Sequence, residues 1–260
     1  MIQTSCRFFT GYKPCGRSDI CSEKCPQRDI PQTRLLVIHL EALGAVLRST
    51  TLLASIKRKF HSSHVTWVTK RGAVPLLQNN PLIDRILTAD GDDLLALRAL
   101  EFDAVFSLDK SLTAAGILSF VRADLHYGFT VDSRTGAIVP ATSAAEELWR
   151  IGLDDNVKFF VNQKAETQLA CESLELPYAR DDYSLFLTDQ EARASATLRA
   201  RWPGPVIGLN TGCSPTIQAK KLTVETHREL CRHLSKLGTV VLLGGGPEDS
   251  ERNRQIARET

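Results

Sequence analysis

An α/β fold around a mainly parallel sheet is what this 260-residue sequence predicts. Three observations carry that expectation. The apolar, β-branched run LLVI at 35–38 has the character of a strand covered on both faces. It turns at Gly44 into a segment whose residues Val46, Leu47, Thr50, Leu53, Ala54 and Ile56 recur at helical spacing. Strand-like and helix-like stretches then alternate, and the alternation resumes after Pro203-Gly204-Pro205. In doubly wound sheets ligands sit beyond the carboxyl ends of the strands, so residues 40–48 are expected to face a cleft.

The elements follow in order. VTWVT at 65–69 reads as a second strand, and 72–78 as a short helix closed by Asn79-Asn80-Pro81, where the residue before proline resists helical dihedrals. A third strand at 83–87 leads to a helix at 92–100 whose opening Asp92 and Asp93 suit the positive end of its dipole. DAVFSL at 103–108 is a buried strand, followed by a helix at 112–121, a strand at 125–129 and a helix at 144–152 with Leu148 and Trp149 as packing residues. Residues 154–183 read as a connection carrying an apolar patch (Phe159, Phe160, Val161) and a helix at 165–174. A charged, alanine-rich helix at 191–201 stops before the Pro203-Gly204-Pro205 punctuation. A second strand–loop–helix unit then begins: strand 206–209, small-residue loop 210–214, helix 223–237, strand 239–243, and a glycine turn at 244–246 into a last helical stretch.

The predicted domains are a Cys-rich leader at 1–33, an N-terminal Rossmann-like domain with its connection at 34–183, and a partial C-terminal domain at 184–260. Two strand–helix units make only part of a doubly wound sheet, so the second domain reads as incomplete.

A net charge of +2 lacks the basic bias of a nucleic-acid binder, and no nucleic-acid partner is expected. No window approaches the roughly 18 apolar residues of a spanning helix, and the N-terminus lacks a basic-then-apolar signal. The expectation is a cytoplasmic protein, with peripheral contact at the cytosolic face of the inner membrane left open.

Of the seven cysteines, Cys171, Cys213 and Cys231 are scattered, whereas Cys6, Cys15, Cys21 and Cys25 crowd into a leader punctuated by Gly11, Pro14, Gly16 and Pro26. Four thiols in a loop-rich segment of a reducing compartment point to a tetrahedral structural zinc. Their spacing is not that of paired CxxC motifs; unligated thiols and an iron–sulfur cluster are the other two readings.

In the second unit, backbone amides exposed by small residues, together with a helix N-terminus, are suited to a diphosphate, and Gly244, Gly245 and Gly246 let a base or ribose approach the main chain closely. Lys220 and Lys221 offer charge to phosphate, and Glu248 an acceptor for ribose hydroxyls. Three glycines alone equally make a tight strand-to-helix turn, since no GxGxxG or GxxxxGK[ST] pattern accompanies them.

Four segments in order, RLLVIHLEALGAVLRSTTLLASIKRKF, NNPLIDRIL, IGLNTGCSP…AKKLTVETHREL and VVLLGGGPED, make residues 34–260 resemble the heptosyltransferase-like enzymes of glycosyltransferase family 9. The resemblance implies a GT-B arrangement of two Rossmann-like domains facing across a cleft. It implies an inverting, metal-independent transfer of a heptose-like sugar from a nucleotide-diphosphate donor, ADP-heptose-like, to a lipopolysaccharide or other lipid-linked cell-envelope glycan, with no cofactor required. By motif position Lys220 resembles the phosphate-contacting lysine, Gly212 and Cys213 the phosphate loop, with Gly245 in the glycine turn, and Glu248 the ribose or adenosine contact; Gly44 and Arg48 fall on the acceptor-side loop.

Two departures stand out. The family's opening turn reads Leu-Gly-Asp-Val, its aspartate being the proposed base, and Ala45 holds that position here. Glu41 is the nearest carboxylate in sequence, though equally a solvated turn residue, and His39, inside the strand, reads as a packed histidine. The chain also stops before the Asp-x-Gly-x-x-His segment that such proteins carry. Both departures motivate the alternative expectation of a silent relative that binds nucleotide or glycan without turnover.

Overall fold

A computed structural model describes residues 1–213 and 220–258, except the side chains of Pro247 and Glu248. It divides into two units, Met1–Phe186 and Leu187–Thr260.

In the first unit β1 (Thr33–Ile38), β2 (Ser63–Thr69), β3 (Arg85–Thr88), β4 (Glu101–Ser107), β5 (Arg122–Val131) and β6 (Ile138–Pro140) form one sheet in the order β3-β2-β1-β4-β5-β6. All neighbours are parallel except β5 and β6. The crossovers are supplied by α1 (Leu43–Ser49), α2 (Thr51–Lys59), α3 (Val74–Leu77), α4 (Gly91–Arg98) and α5 (Leu112–Phe120), and α6 (Glu146–Leu153) and α7 (Glu166–Ser173) follow the sheet.

The unbroken apolar run of β1 is explained by the pleat. Leu35 and Val37 enter a core with Val46, Leu53, Ile56, Trp67 and Phe106, while Leu36 and Ile38 enter a second core with Leu97, Phe102, Val105 and Ile117. Successive side chains point to opposite faces, and helices cover both. Each of these fully buried aliphatic side chains contributes roughly 1.5–3 kcal/mol relative to exposure.

Gly128 is required where β5 meets β4. Its φ is +90°, and a Cβ there would lie 2.1 Å from the Ser107 carbonyl oxygen, closer than any side chain tolerates.

The short β6 escaped the sequence reading because three residues are too few to show alternation. The apolar patch at 159–161 belongs to a single π turn (Val157–Val161) and is exposed rather than packed.

The chain from Leu174 to Phe186 stays on the first unit. Ser55 Oγ donates to the Pro177 carbonyl at 2.5 Å, Arg58 grips both oxygens of Asp181 at 2.6 Å, and the Ser184 amide donates to Thr50 Oγ1 at 2.9 Å. These contacts put the division at Phe186, and the 203–205 punctuation instead separates α8 (Asp189–Arg199) from β7 (Val206–Asn210) within the second unit.

That unit pairs β7 with β8 (Thr239–Leu243) in parallel, with α9 (Val224–Leu234) and α10 (Pro247–Ala257) following the strands. Thr188 and Glu191 form a reciprocal capping box on α8, whose first-turn amides they satisfy. Among the described residues no helix is long and apolar enough to cross a membrane.

Candidate functional site

The strand order reverses direction between β1 and β4: the chain runs from β1 outward to β3, then returns to β4 and runs outward to β6. Crevices open at such points because the helices following the two central strands depart to opposite faces. At this point Asp109 ties the two strand ends together. Its Oδ2 accepts from the Leu40 amide at 2.9 Å and its Oδ1 from the Ser111 amide at 2.9 Å.

An open pocket lies here. Ala45, Arg48 and Ser49 reach it from α1, His39 from the end of β1, Lys110 from the end of β4, and Glu166 from the first turn of α7. Gly44 is the second residue of α1 rather than the turn itself, because the helix already starts at Leu43.

The polar groups are strongly constrained. Arg48 Nη2 pairs with Glu166 Oε1 at 2.9 Å, while the buried Nε of Arg48 has no hydrogen-bond partner. A buried donor left unpaired costs about 1–3 kcal/mol, a cost that a ligand oxygen removes. His39 Nδ1 lies 2.9 Å from Ser49 Oγ, and that hydroxyl donates to the Val46 carbonyl at 2.8 Å. With the hydroxyl proton committed, the imidazole donates through Nδ1 and carries its lone pair on Nε2. Burial pushes the His39 pKa below the ordinary histidine value, so the ring is neutral. Burial likewise lowers the pKa of Lys110, whose Nζ stands 4.6 Å from the Phe129 ring centroid and donates to the Leu148 carbonyl at 3.2 Å.

Glu41 does not line this pocket. It is exposed and pairs with Lys70 at 2.5 Å. The carboxylate that shares the pocket with Ala45 is Glu166, which sequence reasoning missed because the two are 121 positions apart by their numbers. Lys110 carried a usable signal, since it directly follows a buried strand and ligands gather beyond strand ends.

In the second unit the two glycine-bearing strand ends meet around one carboxylate. Asp249, in the first turn of α10 and 4% exposed, accepts from the Gly245 amide at 2.9 Å and lies 3.5 Å from Lys221 Nζ. The Gly245 amide, and then Lys221, hold its pKa below the ordinary carboxylate value. A Cβ on Gly212 would lie 2.1 Å from Asp249 Oδ2, and one on Gly244 would lie 2.6 Å from Asp249 Cβ. Both glycines are therefore needed for close approach. Thr211 Oγ1 donates to the Leu243 carbonyl at 2.9 Å and is hydrogen-bonded to Asn253, fixing the loop after β7 against α10. Cys213 follows directly in that loop and is partly buried; Lys220 is exposed. The Glu248 side chain lies outside the described residues.

Cys6, Cys15, Cys21 and Cys25 line one pocket in the leader, none of them in a disulfide. Among the described residues no group of three or more His, Cys, Asp or Glu side chains is arranged to hold a single metal ion.

The description glycosyltransferase family 9 (heptosyltransferase) matches residues 95–260. No curated protein matches the chain. Among solved structures, the fold is similar to that of the glycosyl transferase family 9 from Veillonella parvula DSM 2008, with TM-score 0.67 and 17% identity over 88% of this chain and 67% of that one. It is also similar to E. coli heptosyltransferase WaaC with ADP, at TM-score 0.57 and 18% identity over 86% of this chain and 71% of that one. E. coli ADP-heptose lps heptosyltransferase II gives the same TM-score of 0.57 and 18% identity, over 86% and 67% of the two chains. At these identities the likeness establishes the GT-B fold.

Proposed function

The chain belongs to glycosyltransferase family 9, and from that premise we propose that it moves a heptose-like sugar from a nucleotide-diphosphate donor to a hydroxyl of a lipopolysaccharide-type, lipid-linked glycan, with inversion and without a metal. The observation that carries the reading is the pocket at the β1/β4 switch point, where Glu166, Arg48, His39 and Lys110 converge around the position of Ala45.

In this reading the acceptor hydroxyl binds in that pocket. Glu166 takes its proton as the hydroxyl oxygen bonds to the anomeric carbon. The bond from that carbon to the diphosphate breaks, and its electron pair leaves with the nucleoside diphosphate. Arg48 holds the Glu166 carboxylate and, through its unpaired Nε, offers a donor to an acceptor oxygen.

The donor is assigned to the second unit, on the loops carrying Gly212, Cys213 and Gly245 with Lys220 and Glu248 beside them. An ionised Asp249 at this point repels a diphosphate, so the reading requires Lys221 to neutralise it and leaves the exposed Lys220 for the phosphate. Amides and a lysine then stabilise the departing charge. The work is assigned to the cytoplasm, with peripheral contact at the inner membrane.

The test is a transfer assay with ADP-heptose and other nucleotide sugars on heptose-deficient lipopolysaccharide core. Turnover with inverted product supports the proposal. Calorimetric binding of ADP without turnover supports the alternative of a silent relative, for which the loss of the aspartate at Ala45 argues. Neither binding nor turnover overturns both.

A further inference from the structure

We infer that an open groove beside the switch-point pocket is a second sugar subsite, which takes the neighbouring, uncharged sugar of the acceptor glycan. The inference rests on the reading of that pocket as the seat of the acceptor hydroxyl. The groove is lined by Glu147, Arg150 and Ile151 of α6, by Val157 of the π turn, and by Gln163 and Lys164 ahead of α7.

Size makes the first argument. The switch-point pocket holds about 130 Å³ and the groove about 540 Å³. Sites that enclose a whole small ligand run to about 300–1,000 Å³, so the pocket suits the reacting edge of one ring and the groove a further ring. The two adjoin. Glu147 lines the groove and Leu148, the next residue of α6, lines the pocket. Lys164 lines the groove and Glu166 the pocket, and two residues of chain span at most about 7 Å. A sugar whose hydroxyl reaches Glu166 therefore has its neighbour within reach of Lys164.

The lining is that of a site for a polyhydroxylated ring. Ile151, buried, and Val157, half-buried, offer an apolar floor to the C–H face of a sugar. Around them stand groups with hydrogen bonds still to make. Lys164 Nζ donates to Glu147 at 2.6 Å and to Glu172 at 2.8 Å, which uses two of its three protons. The Arg150 side chain is engaged only through Nη2, to Glu146 at 3.3 Å, and has four further donors. The exposed side chains of Gln163 and of Ser143, which also lines the groove, have no hydrogen-bond partner among the described residues.

Charge selects the kind of sugar. Glu146 and Glu147 stand against Arg150 and Lys164, and Glu172 behind Lys164 adds a further carboxylate. The groove thus has no surplus cation for a phosphate or an acid group, whereas fixed carboxylates and cations both bond well to neutral hydroxyls. The switch-point pocket differs, since Arg48 and Lys110 there face a single carboxylate, Glu166.

Lipopolysaccharide core oligosaccharides of one to four sugars, freed of lipid and dephosphorylated, are titrated into the full chain by calorimetry, and the same set is offered with nucleotide sugar in the transfer assay. Affinity is expected to rise at least ~10-fold from one sugar to two, with a smaller gain beyond. A phosphate kept on the second sugar is expected to cancel most of that gain. Gln163→Ala, which removes a free amide, and Ser143→Tyr, which fills the groove, are each expected to reduce it severalfold. Affinity independent of length, no binding of any oligosaccharide, or a gain that survives Ser143→Tyr overturns the inference, and the wild-type series decides it even where a variant fails to fold. Length-dependent binding without transfer upholds the subsite and counts against the proposed reaction; transfer with length-independent affinity does the reverse.

Discussion

Arg48 and Glu166, 118 residues apart in the chain, meet at 2.9 Å on the rim of the pocket that also holds Ala45. A helix that begins just after β1 and one that begins just after the π turn thereby supply the cation and the carboxylate of one site. The pair is partly exposed, with side chains 40% and 63% accessible. It therefore adds little to stability, and its value lies in fixing where the carboxylate stands.

Glu166→Gln keeps the shape and removes the proton acceptor, so the rate of transfer is expected to fall by ~10²–10⁴-fold with donor KM little changed. Ala45→Asp in the Glu166→Gln background is expected to recover part of that rate. Steady-state kinetics on both variants check this, and an unaltered kcat in Glu166→Gln assigns the proton elsewhere, His39 Nε2 being the next acceptor in the pocket.

Gly212→Ala places a methyl group 2.1 Å from Asp249 Oδ2, a buried carboxylate that cannot withdraw without losing the Gly245 amide. The expected result is a loss of roughly 1–3 kcal/mol in the stability of the second unit, together with at least a ~10-fold weaker ADP affinity, or about 1.4 kcal/mol. Calorimetric titration and thermal unfolding measure the two effects separately.

Gly128→Ala combines a left-handed backbone with a Cβ set 2.1 Å from the Ser107 carbonyl. Strain and overlap together are expected to destabilise the first unit by about 3 kcal/mol or more. Urea unfolding followed by tryptophan fluorescence reads this directly, since Trp67 is buried in the same core.

His64 gives the first unit an acid-labile point. Burial pushes its pKa to about 4, against the pull of Asp84 and with the help of Arg85, Arg34 and Arg7. The folded state thus binds this proton more weakly than the unfolded chain, so stability is complete above about pH 6.5 and falls as the pH drops toward 4. The loss attributable to this one group is about 3 kcal/mol at the acid end. Denaturation midpoints of the wild type and His64→Gln across that range are expected to converge at low pH, the variant losing less.

The sequence carried the alternation of strand and helix well, because it rests on local periodicity. The LLVI run announced a strand covered on both faces, and both cores that it joins are present. The four ordered segments likewise carried the family. Glu41 shows where the reading stops: nearness in sequence nominated it, yet it pairs with Lys70 outside the pocket. Nothing local marks Glu166 or the 177–184 contacts that keep the connection on the first unit, since both depend on elements more than a hundred residues away.

The sequence by itself determined the order of the elements, the glycines at the two strand ends and the crowding of four thiols in the leader, because backbone propensity and apolar periodicity act over a few residues. Only the tertiary structure decided which carboxylate shares the pocket with Ala45, that Asp249 sits against Gly212, and that the four thiols line one pocket. Those relationships are set by sheet order and by helices returning from distant parts of the chain, and proximity in space across such separations leaves no trace in local sequence.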